Sequence, residues 1–429
     1  MKIESSLGIP PSARRLSESL RDVGYSLESA IADLVDNSIM AGASEVDISV
    51  VFDGRDSFIR IADNGAGMDS DALNEAMRFG SHREYGEGDL GRYGLGLKTA
   101  SMSQCRRIEV FSRTATTETE ARALDLDFIH ATDDWLIYDI SDEADGAQPD
   151  SFLGTPHGTT VVWKRLDRIL PAKSPDGGWA RRRIERIPEK LAPYLSMVFH
   201  RFLSGEAYRS LSISINGKPL EPWDPFVRNE EDSRELQADV FEIEKQAGSG
   251  QVKLRRFLLP TRDQFSSSDA YEQASGLDKW NRQQGLYIYR ADRLVQWGGW
   301  AGIRTTDEHT KLARASLDFD TDLDETFNIN VAKMRVTLPS ELRKMIARPL
   351  NELCMQADAA YRRSQSRSAL ETTPPDPIPF SSGDSETGES IGLSLRAAAA
   401  RTGDFEALTR MMGLIKKEIP ELAAFLGFD

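Results

Sequence analysis

The stretch SLESAIADLVDNSIMAGA, Ser26 to Ala43, decides how this chain is read. Leu27, Ala30, Ile31, Leu34 and Val35 recur at helical spacing, which predicts an amphipathic helix with its apolar stripe turned into a core. Asp33 and Asn37 lie four apart, on one side of that helix and at the border of the stripe. A carboxylate and a carboxamide half-sheltered at the edge of a core can hold a metal and activate a water. The same pair also describes a plain solvated helix edge, and this stretch alone leaves both readings open.

Outward from the helix, the local signals are clear. SARRLSESLRD, residues 12–22, predicts a short helix capped by Ser12 after Pro10 and Pro11, with Gly24 as the break. Glu45–Phe52 alternates as a strand, Asp53-Gly54 is a turn, and Ser57–Ala62 is the returning strand. That hairpin runs into DNGAGM, Asp63–Met68, just before a helix expected at Ser70–Phe79. Its glycines permit positive φ and close approach of another group. An ionised Asp63 can only accept hydrogen bonds, which suits an exocyclic amino group such as that of adenine. A simple Asx turn would read the same way.

Gly80–Lys98, GSHREYGEGDLGRYGLGLK, carries Gly80, Gly86, Gly88, Gly91, Gly94 and Gly96, too many for a regular element. It leads into a helix beginning near Leu97. A glycine loop feeding a helix N-terminus presents backbone N–H groups and a positive dipole end, a cradle for phosphate to which Lys98 adds a point charge. The GxxGxG spacing of Gly91, Gly94 and Gly96 is neither the Rossmann nor the P-loop spacing, and a mobile surface loop is the alternative. Strands are expected at Arg107–Ser112, Ala121–Phe128, Trp135–Ile140 and Gly158–Trp163. In the last of these, Thr159 is placed to bridge Asp63 and an adenine through water.

Length and composition bound the rest. The chain has 429 residues, enough for two or three domains. Its net charge of −15 excludes a surface that is basic overall but leaves room for a local basic groove. Two cysteines, Cys105 and Cys354, without CxxC spacing argue against a disulfide framework or a zinc site. No apolar run approaches the roughly 20 residues that cross a bilayer. The N-terminus has no signal-peptide pattern. A soluble cytoplasmic protein with no membrane partner is expected.

The pocket helix, DNGAGM, the GxxGxGxK lid and GTT stand in one order, and the set resembles the GHKL ATPase superfamily of gyrase, MutL, the ninety-kilodalton heat-shock chaperones and histidine kinases. The wording AIADLVDNS with GRYGLGLKTASMS is most similar to the MORC branch and its prokaryotic relatives. The resemblance covers roughly residues 12–170. It implies an α+β chain: a GHKL (Bergerat) α/β sandwich at 1–170, binding ATP and Mg²⁺. Carried over residue by residue, it makes Asn37 the Mg²⁺ ligand and Asp63 the adenine reader. Gly65, Gly67 and Met68 fall beside the base, and Gly91, Gly94, Leu95, Gly96 and Lys98 in the triphosphate lid. Thr159 falls near adenine and Asp33 at the general base, where most relatives carry Glu. The shorter Asp implies slow hydrolysis, or hydrolysis that needs a partner.

Further on, Trp179–Leu203 predicts helix, with Arg181, Arg182, Arg183, Arg186 and Lys190 crowding its first half. This is a solvated face or a phosphate-binding patch. Strands are expected at Leu211–Ile215, Val252–Leu259, Gly285–Arg290 and Arg293–Trp297, and an acidic mobile loop at 229–250. The segments NINVAKMRV and YIYRADRLVQWGGW resemble the ribosomal S5-like transducer beside GHKL domains, expected at 171–345. The resemblance makes Lys333 the γ-phosphate sensor. Asn328–Val331 and Met334–Leu338 are read as strand-like around it. A helix at 346–368 (the end of one beginning at Ser340), a flexible linker at 369–390 and a small helical segment at 391–429 complete the chain. By the same resemblance the expected partners are a second protomer on ATP binding and a DNA client; the apolar face of 391–429 adds an effector protein, on the alternative reading of a nucleotide-sensing scaffold. A place in bacterial anti-phage or DNA-restriction systems follows by analogy.

Overall fold

The computed structural model describes residues 11–22, 24–79, 96–140, 154–170, 173–245, 248–329, 336–371, 385–402 and 404–428. They fall into two units, Met1–Ser366 and Arg367–Asp429.

The first unit begins with α1 (Ala13–Arg21), where the Ser12 hydroxyl accepts the N–H of Arg15. In α2 (Leu27–Met40) Ser26 caps in the same way, accepting from Ser29. Ala30, Ile31, Leu34, Val35 and Ile39 are all buried, so the predicted stripe is the helix's core face. Then come β1 (Glu45–Val51), β2 (Phe58–Asp63), α3 (Ser70–Met77), α4 (Gly96–Met102), β3 (Arg107–Arg113), β4 (Glu120–Asp125), α5 (Leu126–Thr132), β5 (Tyr138–Asp139) and β6 (Gly158–Lys164). Three helices follow, α6 (Gly178–Glu185), α7 (Ile187–Val198) and α8 (His200–Leu203), and then β7 (Ser212–Ile215) and β8 (Lys218–Pro219).

These strands make one sheet in the order β5-β4-β3-β6-β2-β1-β7-β8. Neighbours are antiparallel except β1 and β7, which run parallel with Glu45 opposite Ser212 and Ile48 opposite Ile215. Alternate residues Val46, Ile48 and Val50 of β1 enter a core shared with α1, α2, α4 and α6–α8. Among the described residues the opposite face carries a smaller cluster of Phe111, Ala121 and Val162, with Phe58 and Ile140 against it. This is the layered sandwich implied by the resemblance, but it does not end at 170. The helices between 178 and 203 pack on the first core and β7–β8 extend the first sheet, so the segment 171–219, expected with the second domain, folds with the first.

The second sheet has the order β12-β11-β13-β10-β9, from β9 (Arg234–Lys245), β10 (Gly248–Leu258), β11 (Gly285–Arg290), β12 (Arg293–Trp297) and β13 (Ala313–Phe319). It is mixed, with β11 and β13 parallel, as in an S5-like domain. The long helix Ser340–Glu371 covers it through Leu342, Ile346, Leu350, Leu353 and Cys354. The acidic stretch expected as a mobile loop at 229–250 is instead mostly β9, paired along β10. Arg234, Glu235, Glu242 and Glu244 occupy exposed positions of this edge strand, where their charges discourage pairing with other chains. Similarly, the strand expected to run to Phe128 stops at Asp125, whose side chain caps α5 by accepting the N–H of Asp127. Most of the strand-like region expected around Lys333 lies outside the described residues.

The second unit contains helices Ser385–Thr402, Phe405–Glu418 and Pro420–Phe425, so the helical segment expected from 391 begins at Ser385, inside the stretch expected as linker. A Cβ on Gly388 or Gly392 would stand 2.2 or 1.9 Å from the carbonyl oxygens of Phe425 and Leu426. Those two glycines allow the first of these helices to lie directly against the last.

Candidate nucleotide site

Asp63 ends β2, opposite Val46 on one side and Thr159 on the other. It is 8% exposed. Its Oδ1 accepts the backbone N–H of Gly65 at 2.9 Å and of Thr159 at 3.3 Å, and Oδ2 accepts the Ser38 hydroxyl at 2.9 Å. Burial raises the pKa above the ordinary carboxylate range, and the three hydrogen bonds oppose it. A carboxylate offers about four acceptor positions, so about one remains, on Oδ2.

The turn after Asp63 is held closely on both sides. Gly67 has φ +70°, and a Cβ there would lie 1.9 Å from the Arg113 carbonyl oxygen. A Cβ on Gly65 would lie 2.8 Å from Cβ of Ala41. The Met68 N–H donates to Ser112 Oγ at 2.8 Å, and that oxygen lies 2.8 Å from Thr159 Oγ1. His157 Nδ1 is 2.7 Å from the Gly65 carbonyl oxygen.

Asp33 lies further back along α2 and is 2% exposed. The Tyr25 hydroxyl donates to its Oδ2 at 2.8 Å. A Cβ on Gly96 would stand 3.7 Å from the same oxygen, so the start of α4 faces this carboxylate. Burial and the Asp33 charge push the Tyr25 phenol well above its ordinary range, which keeps it a donor. From the second sheet, Arg293 brings Nε within 3.2 Å of the Asp36 carboxylate and Nη2 within 4.0 Å of Asp33 Oδ1. Asn37, one turn after Asp33, is exposed.

Lys98 is buried, and its ammonium donates to the carbonyls of Ala76, at 2.8 Å, and Arg78. Burial lowers its pKa to about 8. The other lid residues, Gly91, Gly94 and Leu95, lie outside the described residues, as does Lys333. Val336 donates its N–H to Gln296 Oε1, at 3.1 Å on β12.

The structure thus brings Asp63, Gly65, Gly67, Met68 and Thr159 together at one end of α2, and Asp33 with Gly96 further back along it. The sequence reading missed Tyr25, Asp36, Ser38, Ser112, His157 and Arg293. Ser38 was recoverable, as the hydroxyl next to Asn37; Arg293 is 257 positions from Asp36 and leaves no local signal.

The residues fit a nucleotide. One acceptor position remains beside glycines that keep the backbone close, and an exposed carboxamide follows on the same helix. Among the described residues no group of three or more His, Cys, Asp or Glu side chains could hold a metal. A Mg²⁺ ion here would be held by Asn37 together with phosphate oxygens and waters.

Residues 25–159 match the family described as histidine kinase-, DNA gyrase B- and HSP90-like ATPase. Over 102 residues the chain is 34% identical to protein MICRORCHIDIA 6 of Arabidopsis thaliana, covering 23% of this chain and 15% of that protein. It is 28% identical over 145 residues to the DNA mismatch repair protein MutL of Beijerinckia indica, covering 34% and 20% of the two chains. With MutL of Pasteurella multocida it shares 30% over 196 residues, 44% and 28% of the two. The chain therefore spans less than a third of the length of each of these relatives. Among the described residues no helix is long and apolar enough to cross a membrane. The segment 25–159 belongs to the GHKL ATPase family, and through it this chain is a distant homologue of the MICRORCHIDIA and MutL proteins.

Proposed function

We propose that the chain is a slow Mg²⁺-dependent ATPase that works as an ATP-gated, dimerising clamp. The observation that carries this reading is the placing of two buried carboxylates along α2, Asp63 against Ser38 at one end and Asp33 facing Gly96 further back. Asp63 accepts from the adenine amino group through its remaining lone pair, with Gly65, Gly67, Met68 and Thr159 around the base. Asn37 supplies a side-chain oxygen to Mg²⁺. Gly91, Gly94, Leu95 and Gly96 cover the phosphates, and Lys98 joins them on leaving the Ala76 and Arg78 carbonyls. Asp33 takes the proton of the attacking water, and Lys333 reads the γ-phosphate. Bound Mg-ATP supplies the scissile phosphoanhydride.

In this proposal ATP joins two protomers through their N-terminal regions and the second sheet passes the change to a client. DNA is the favoured client. Arg181, Arg182, Arg183, Arg186 and Lys190 are exposed. Residues 165–190 hold eight basic and four acidic side chains in a chain of net charge −15. A place in anti-phage or DNA-restriction systems extends the same proposal.

The test is ATP turnover with and without duplex DNA at two salt concentrations, beside light scattering with ADP and with a non-hydrolysable ATP analogue. Turnover that DNA stimulates at low salt, with a mass increase for the analogue alone, is the expected result. Equal mass in all nucleotide states would remove the clamp. One observation favours a second reading, a nucleotide-sensing scaffold that recruits an effector through 391–429. Asp33 is short, 2% exposed and held by Tyr25, a setting for little hydrolysis. Analogue-induced dimerisation without measurable phosphate release would select it.

A further inference from the structure

Arg293 opens β12 directly after a turn in which Ala291 and Asp292 have φ of +46° and +65°. This turn carries a second-sheet side chain into the first core. The Arg293 guanidinium is 3% exposed and lies 5.9 Å from the Phe199 ring of the α7–α8 junction. Its Nη1 donates to the Leu294 carbonyl at 3.2 Å, its Nε meets Asp36 at 3.2 Å, and its Nη2 lies 4.0 Å from Asp33. Asp33 and Asp36 are both buried and sit one turn apart on α2. Two buried carboxylates this close need a cation, and the planar guanidinium fork can address both where an ammonium cannot. The next strand residues keep the fork in place: Leu294 is fully buried and Val295 nearly so.

We propose that Arg293 is a positioning residue for ATP hydrolysis: with Tyr25 it fixes the Asp33 carboxylate from the opposite side, so Asp33 is aimed only while the second sheet is docked on α2. The inference rests on the reading of Asp33 as the general base. It makes the second sheet part of the hydrolytic site through a side chain separate from Lys333. The adenine end, at Asp63, lies outside this arrangement, so nucleotide affinity and turnover must respond differently when it is broken.

The test uses the full-length protein, with binding of a fluorescent ADP analogue measured beside ATP turnover. Arg293→Gln is expected to keep the dissociation constant within about threefold and to lower kcat by about 10- to 100-fold, the effect of a misplaced catalytic group. Arg293→Lys, which keeps the charge and loses the fork, is expected to recover part of kcat. In the Asp33→Asn background Arg293→Gln should cost nothing more, because residues acting as one unit are not additive. If Arg293→Gln alone fails to fold, the pair Arg293→Gln with Asp36→Asn removes the cation and one carboxylate together and is read in the same way. Wild-type kcat in a folded variant of either kind overturns the inference, as does an equal loss of affinity and kcat. Wild-type turnover in Asp33→Asn would instead show that the base reading has failed.

Discussion

The Lys98 ammonium donates to the Ala76 carbonyl at 2.8 Å, so the cation expected at the phosphates is held by the helix that follows the Asp63 turn. Burial keeps its pKa at about 8 rather than 10.5. Only protonated Lys98 attracts a triphosphate, so ATP affinity is expected to fall as pH rises through about 8, and Lys98→Met should weaken binding and remove that dependence. In the nucleotide-free protein the sign is opposite. Between about 8 and 10.5 the unfolded chain holds a proton that the fold does not, so stability rises with pH across that window. Denaturation curves of wild type and Lys98→Met at several pH values check this.

Gly67→Ala places a side chain where φ is +70° and the Arg113 carbonyl oxygen is 1.9 Å from the new Cβ. A loss of at least about 1–3 kcal/mol in urea unfolding is expected from the backbone strain alone, together with weakened adenine-nucleotide binding. Gly217→Ala, at φ +74° with nothing within 4 Å, meets the same strain without the clash and should cost less. Equal costs would show that the turn can move away from β3.

Asp33→Asn should leave nucleotide affinity near wild type and cut turnover by about 10²–10⁴, the usual range for a general base. Asp33→Glu lengthens the acid by one methylene, but Tyr25, Gly96 and Arg293 already surround the shorter one. Its added methylene is expected to destabilise the fold by about 1–3 kcal/mol. A more active and equally stable Glu variant would mean that the pocket has room for the longer side chain.

Replacing Arg181, Arg182 and Arg183 with Ala should weaken DNA binding and flatten its salt dependence in proportion to the phosphates no longer neutralised. Arg181 already pairs with Glu185 at 2.8 Å, so Arg182 and Arg183 should carry most of the effect. Single substitutions followed by fluorescence anisotropy at several salt concentrations separate them.

Much of the first sandwich was legible because its signals are local. The apolar spacing in α2, the Ser12 cap and the turn at Asp53-Gly54 each lie within a few residues of what they determine. Asp63 and Thr159 were also legible, as motif positions, and the register then placed them opposite each other. What was missed is long-range or depends on context. The parallel pairing of β7 with β1 joins residues 167 positions apart and has no turn to announce it. Strand β9 is acidic because it lies at an edge, and composition alone makes an edge strand look like a loop. Arg293 is one of many arginines in the sequence, and only the fold sets it beside Asp36.

The parallel pairing of Glu45–Ile48 with Ser212–Ile215 also separates two boundaries that are easily taken as one. The stretch that matches the ATPase family stops at residue 159, but the piece of chain that can fold around the nucleotide continues through β8. A fragment cut after Lys164 would keep the Asp33, Asn37, Asp63 and Thr159 positions and lose the strand that covers β1. Its open edge would present unpaired backbone groups above an uncovered apolar layer, a template for adding strands from other molecules. Such a fragment is expected to self-associate in gel filtration without nucleotide, and one extended past Pro219 to remain dispersed. The stretch that matches the family is therefore shorter than the stretch that closes the first sheet.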